Sequence, residues 1–163
     1  MKKEFFQLEM DLCESVEELS NEDVKLLEEA IIAAENAYAP YSRFRVGAAV
    51  LLANGTIVRG NNQENAAYPS GLCAERVALF YASAAWPDVP VLAIAITAIS
   101  EKSIIEEPIA PCGACRQVMA EYEKKSGNKL RVIMKGQKGP VLIASSMRTL
   151  LPFSFLDDFL LKY

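Results

Sequence analysis

Three thiols and one carboxylate fall in two short runs, Cys73-Ala74-Glu75-Arg76 and Pro111-Cys112-Gly113-Ala114-Cys115-Arg116. Cys112 and Cys115, at C-x-x-C spacing, can bite one metal ion together, and Cys73 can add a third sulfur at about 2.3 Å from a zinc. A structural zinc normally takes four protein ligands, so three leave a position open for water. Glu75, two residues from a ligand, can then handle that water's protons. Three thiolates on a divalent zinc leave a net negative charge, which weakens the metal's pull on its water. Arg76 and Arg116, one in each run, are the candidates to return positive charge, and one or both are expected to donate hydrogen bonds to ligand sulfurs.

A C-x-x-C pair by itself also serves as a redox couple or as half of a structural zinc knuckle. Redox pairs sit after the first strand of a thioredoxin-like fold, whereas this one comes late in the chain. A closed structural site wants a fourth ligand. Cys13 is the one spare thiol and the chain has no His. Catalytic zinc is the favoured reading of these residues, with structural zinc and redox chemistry as alternatives. The missing His also excludes serine-protease and papain-type triads and HExxH zinc sites. Any general base must be a carboxylate, Lys, Tyr, Cys or the metal's own water.

The elements around these runs alternate in type. Ser20-Asn21-Glu22-Asp23 resembles a helix cap, and Val24, Leu27, Ile31 and Ala34 recur at helical spacing. Pro40 predicts an end near Tyr38. The Ala residues of this helix would let another element approach closely. Val46–Leu52 and Thr56–Arg59 flank Asn54-Gly55, a strong hairpin signal. A polar loop over 60–71 runs into Cys73, where the pattern turns helical until Trp86-Pro87. Val89–Ile99 reads as a strand covered on both faces. A helix follows from Cys112 to about Lys125, stopped by Ser126-Gly127-Asn128. Leu130–Met134 and Val141–Ala144 read as strands, Ser145–Leu151 as a capped short helix, and 156–161 as a last one. This order predicts an α/β fold: a three-layer α/β/α sandwich around a mixed sheet of about five strands. Each cysteine run follows a strand and a loop and opens a helix, where small-molecule sites collect in such folds. Residues 1–20 are harder to place; Phe5, Phe6, Leu8 and Met10 suggest a short strand or an arm packed on a neighbour. The expected division is an extension over 1–20, with a possible role at an interface, and a catalytic domain over 21–163.

The chain has 163 residues, 52% of them apolar, with a formal net charge of −4. The length suits one domain with a real core, and the apolar surplus hints at surface buried between subunits. The acidic balance gives no footprint for nucleic acid. No apolar run is long enough to span a membrane, and Glu4, Glu9 and Asp11 interrupt any leader-like core, so the expected compartment is the cytoplasm. In that compartment cysteines are metal-binding or catalytic more often than disulfide-bonded.

Cys-Ala-Glu followed by Pro-Cys-x-x-Cys resembles the zinc nucleobase deaminases. The chain is most similar to the small cytidine deaminases of the homotetrameric, three-Cys type. The resemblance covers about residues 22–163, in the runs PYSRFRVGAAV (40–50), GNNQENAAYPSGLCAER (60–76), PCGACRQVM (111–119) and LLPFSF (150–155). It implies hydrolytic deamination of cytidine and deoxycytidine in pyrimidine salvage. One zinc per subunit would be held by Cys73, Cys112 and Cys115, with Glu75 as proton shuttle. Asn62 and Glu64 would bind the ribose 3′-hydroxyl, and Phe44 would stack near the base. The backbone around Ala74 and Pro111 would read the cytosine edge. Ala66, Tyr68 and Phe155 would reach into the sites of neighbouring subunits of a homotetramer. Without the resemblance, Asn62 and Glu64 would pass for an ordinary solvated loop, and Phe44 and Phe155 for core residues. Two rival readings remain: a blasticidin-S-type deaminase of a cytosine nucleoside analogue, and a non-catalytic zinc-stabilised interaction domain. An editing deaminase acting on RNA or DNA is opposed by Cys73 as first ligand and by the net charge.

Overall fold

The structure, a computed structural model, describes residues 1–156 and 160. The first strand, β1 (Asp11–Cys13), precedes helix α1 (Asn21–Glu35), which opens on Ser20; the Ser20 hydroxyl accepts from the Asp23 amide at 3.2 Å. Helix α1 stops three residues short of the predicted Tyr38. The cause is tertiary: the Tyr38 amide donates to the Asn62 carbonyl and the Tyr38 carbonyl accepts from the Glu64 amide. That pairing draws the chain out of the helix and pins it beside the loop that later forms the site. Strands β2 (Phe44–Leu52) and β3 (Ile57–Asn61) make the hairpin expected at Asn54-Gly55, with Gly55 at φ 82°.

Helix α2 (Ala74–Ala85), strand β4 (Val91–Ser100) and helix α3 (Gly113–Ser126) follow. Gly127, left-handed at φ 67°, ends α3 where the sequence placed its stop. Strands β5 (Arg131–Lys135) and β6 (Val141–Ala144) lead to a one-turn helix α4 (Met147–Leu150), capped by Ser146. The last helix expected, over 156–161, falls largely outside the described residues.

The sheet runs β1-β6-β5-β4-β2-β3, with β4 and β5 parallel and every other pair antiparallel. It therefore has six strands where about five were expected. The extra one is β1, paired to β6 with Asp11 opposite Ile143 and Cys13 opposite Val141. Three residues of alternating polarity are too short a pattern to separate from a loop by sequence.

Strand side chains alternate between two cores, as a period of two requires. Ala48, Val50 and Leu52 of β2, Ile94 and Ile96 of β4, and Val132 and Met134 of β5 face α2, α3 and α4. Ala49, Leu51, Ala93, Ala95 and Ile133 face α1 through Leu26, Leu27 and Ala30. Two glycines set how closely the helices lie. A Cβ at Gly47 would stand 2.0 Å from the Ala30 carbonyl oxygen of α1. One at Gly60 would stand 2.4 Å from the Ala78 nitrogen and 2.6 Å from the Ala74 oxygen of α2. The second contact matters most for function, because α2 begins at the cysteine run.

Candidate active site

Cys73 is the residue that opens α2, and Cys112 the residue that opens α3. Neither sulfur caps its helix, so both are available to a ligand. Cys115 lies in the first turn of α3 and is fully buried. Both helices pack on the same face of the sheet, which brings their N-termini together. The unpaired N–H groups there favour negative charge on sulfur.

The three sulfurs lie within 4.8 Å of one another, and Cys73 and Cys112 are 3.9 Å apart. A tetrahedral zinc with bonds of about 2.3 Å spaces its sulfurs roughly 3.8 Å apart, so the donor set fits that ion. Among the described residues no other such convergence of Cys, Asp and Glu exists, and no fourth side chain joins this one. Cys13 packs against the core on the α1 side of the sheet. The protonation pattern of the thiols also suits a cation. A hydrogen bond from Cys115, helped by Arg76 and Cys112, holds Cys73 down to about 5. The same bond to Cys73, together with burial, pushes the Cys115 thiol up. A divalent ion held by the three sulfurs would displace their remaining protons.

The two arginines part company. Arg76 Nη2 lies 3.6 Å from the Cys73 sulfur, as expected for a charge-returning donor. Arg116 points away from sulfur: its Nε donates to the Pro111 carbonyl at 2.8 Å and its Nη1 to the Leu150 carbonyl at 3.1 Å. It fixes the turn before Cys112 to the end of α4. Of the two candidates, Arg76 is the one whose guanidinium meets a ligand sulfur; Arg116 finds stronger acceptors in two carbonyls.

Glu75, on the first turn of α2, is 4% exposed. Burial raises its pKa, the negative charge of Cys73 adds to the rise, and a contact with Cys115 partly opposes it. Burial therefore favours the protonated carboxyl more than water would, which suits a group that passes protons.

A cavity of about 540 Å³ opens onto Cys73, Cys112 and Glu75. Phe44, Asn62, Glu64, Tyr68 and Arg76 also line it, so eight of the residues singled out by sequence meet in one place. Asn62 is held from both ends by β2: its Oδ1 accepts from the Val46 amide at 2.7 Å, and its Nδ2 donates to the Phe44 carbonyl at 3.0 Å. Glu64 Oε2 accepts from the amides of Tyr41 (2.8 Å) and Ser42 (3.2 Å). The Ser42 hydroxyl and these amides hold the Glu64 carboxyl below its ordinary range. Each side chain keeps hydrogen-bonding capacity after these contacts. Ala74 and Pro111 are buried beside the ligands. Ala66 is exposed on the loop before Cys73. Phe155 lies elsewhere, on a groove of about 650 Å³ with Phe153, Met147 and Ala120.

The structure adds residues that sequence reasoning passed over. Tyr41 and Ser42 anchor Glu64, and Val46, Ile96, Ile109 and Ala110 form apolar cavity wall. The polar Tyr-Ser pair before a strand was a visible signal. The wall residues look like any strand or loop apolar position until the fold brings them together.

The sequence model of the family described as "Cytidine and deoxycytidylate deaminase zinc-binding region" matches residues 20–127. A protein of Halalkalibacterium halodurans named cytidine deaminase is 55% identical over 97 residues, 59% of this chain and 68% of the relative. The cytidine deaminase of Sporosarcina psychrophila is 40% identical over 134 residues, 82% of this chain and 91% of the relative. Among solved structures, that of a cytidine deaminase from Burkholderia pseudomallei superimposes with a TM-score of 0.70 at 45% identity, covering 80% of this chain and 97% of its own.

Proposed function

From the premise that this chain belongs to the cytidine and deoxycytidylate deaminase family, we propose that it hydrolyses cytidine and deoxycytidine to uridine and deoxyuridine, releasing ammonia, in pyrimidine salvage. One observation carries the reading: three sulfurs converge, and two of them, Cys73 and Cys112, line a cavity sized for a small molecule together with the buried carboxylate of Glu75. Cys73, Cys112 and Cys115 hold one zinc ion. When bound, the zinc acts as a Lewis acid that lets water attack at neutral pH.

The remaining work falls to side chains. Water adds at C4 of the pyrimidine, and Glu75 takes a proton from it and delivers that proton to the ring nitrogen N3. Glu75 then takes the remaining proton of the new C4 hydroxyl and passes it to the amine; the C4–N4 bond breaks as the C4 carbonyl forms, and ammonia leaves. Burial of Glu75 supports this double duty, since it raises the carboxyl's affinity for the proton it must carry. Arg76 offsets the charge of the Cys73 thiolate. Phe44 lies against the base, and the backbone around Ala74 and Pro111 reads the cytosine edge. Asn62 and Glu64 take the ribose 3′-hydroxyl, each oriented by the β2 backbone or the 41–42 amides.

We place the enzyme in the cytoplasm as a homotetramer, with Ala66, Tyr68 and Phe155 contributing to neighbouring sites. No described helix is long and apolar enough to cross a membrane. The net charge of −4 argues against a nucleic-acid substrate. Ultraviolet absorbance of cytidine with zinc-replete protein tests the reaction. The expected result is loss of the cytidine signal, and a reduction of about 10² to 10⁴ in turnover for Glu75→Gln at unchanged zinc content. No decay of cytidine would refute the substrate.

A further inference from the structure

Residues 6 to 12 alternate: Phe6, Leu8, Met10 and Leu12 are apolar, and Gln7, Glu9 and Asp11 polar. That is the pattern of a strand half-buried on one face. Among the described residues, only Asp11–Cys13 of this stretch finds a strand partner, as β1 on β6. The apolar side of the rest is open, with Phe6 64%, Leu8 51% and Met10 44% exposed. We propose that residues 5–12 form a docking strip for a second copy of this chain, the two strips meeting as one self-complementary contact.

Four observations point to that occupant. The protein exposes 9704 Å² at a mass of 17.9 kDa. A compact monomer of this mass exposes about 8,000 Å², so the excess of roughly 1,700 Å² per chain is more than the roughly 800 Å² that each partner gives to a standard interface. β1 ends the sheet order, so its outer backbone edge is open to an antiparallel strand, and a two-fold axis would supply one of identical pattern. Phe6 packs edge-on against Phe153 at 5.2 Å, which makes the strip continuous with the apolar groove at the C-terminal end. Lastly, Lys2 and Lys3 are outnumbered by Glu4, Glu9 and Asp11, so an anionic lipid surface finds no net attraction.

The strip lies outside residues 20–127, which the family shares, so it is an addition to the catalytic domain rather than part of its site. The inference rests on the homo-oligomer proposed above and adds which segment takes part. Sedimentation velocity over a hundredfold concentration range should compare the full-length protein with Phe6→Ser/Leu8→Ser/Met10→Ser and with Ile31→Ser, an exposed position on α1. The triple variant is expected to dissociate at a concentration at least tenfold higher than the wild type and the α1 control, at equal zinc content. Equal association of all three would overturn the strip and leave the oligomer standing. A wild type that is monomeric throughout would overturn both. Wild-type flotation with phosphatidylcholine–phosphatidylglycerol vesicles, lost in the triple variant, would make the occupant a lipid and also overturn the proposal. Should the variant misfold, hydrogen exchange on the wild type decides. Amides of 5–12 must gain protection at high protein concentration, and their failure to do so refutes the contact.

Discussion

At the scale of single residues, the site separates two arginines that look equivalent in sequence. Arg76 donates to the Cys73 sulfur, whereas Arg116 holds two carbonyls. Arg76→Gln should lower zinc affinity and turnover together, by about 10- to 100-fold, the usual cost of losing a hydrogen bond to a metal ligand. Arg116→Gln should keep zinc and instead lose thermal stability, because the turn before Cys112 comes loose from α4. Zinc titration and melting curves on the pair check this split. Glu64 gives a pH prediction. Its folded-state pKa lies below the ordinary 4.5, so the stabilisation it brings is complete above that value and is lost as pH falls through the lowered one. KM for cytidine should stay flat from pH 7 to 5 and rise in more acid solution. Glu64→Gln should show the raised KM already at pH 7. The ligands and Glu75 were legible in sequence because their chemistry dictates residue type and spacing. Arg116 was not, since its acceptors are backbone carbonyls that any residue supplies.

At the scale of elements, the site depends on how closely α2 rests on β3. The backbone contacts at Gly60 leave no soft side chain to give way, so Gly60→Ala must push the start of α2, with Cys73 and Glu75, off the sheet. Overpacking of this kind costs about 1–3 kcal/mol, and a misplacement near 1 Å costs about 100-fold in rate. Gly60→Ala should therefore melt several degrees lower and lose at least that factor in kcat/KM for cytidine, measured by calorimetry and absorbance. Most elements could be read in advance: a long apolar run such as Val91–Ser100 and the glycine stop at Gly127 carry their own signals. Two could not. Helix α1 ends early because Tyr38 pairs with Asn62 and Glu64, residues more than twenty positions away. β1 is three residues long and is defined by its partner β6.

At the scale of the whole molecule, two helix N-termini converge on one face of a six-stranded sheet, and both carry cysteines. The fold thereby makes a three-sulfur centre from runs almost forty residues apart, beside a carboxylate that it keeps out of water. Cys13, on the far core, cannot close the centre. X-ray absorption at the zinc edge of the purified, reduced protein tests this most directly. The expected spectrum has one zinc per chain with three sulfurs at about 2.3 Å and one lighter scatterer. Four sulfurs, or a protein without zinc, would contradict it.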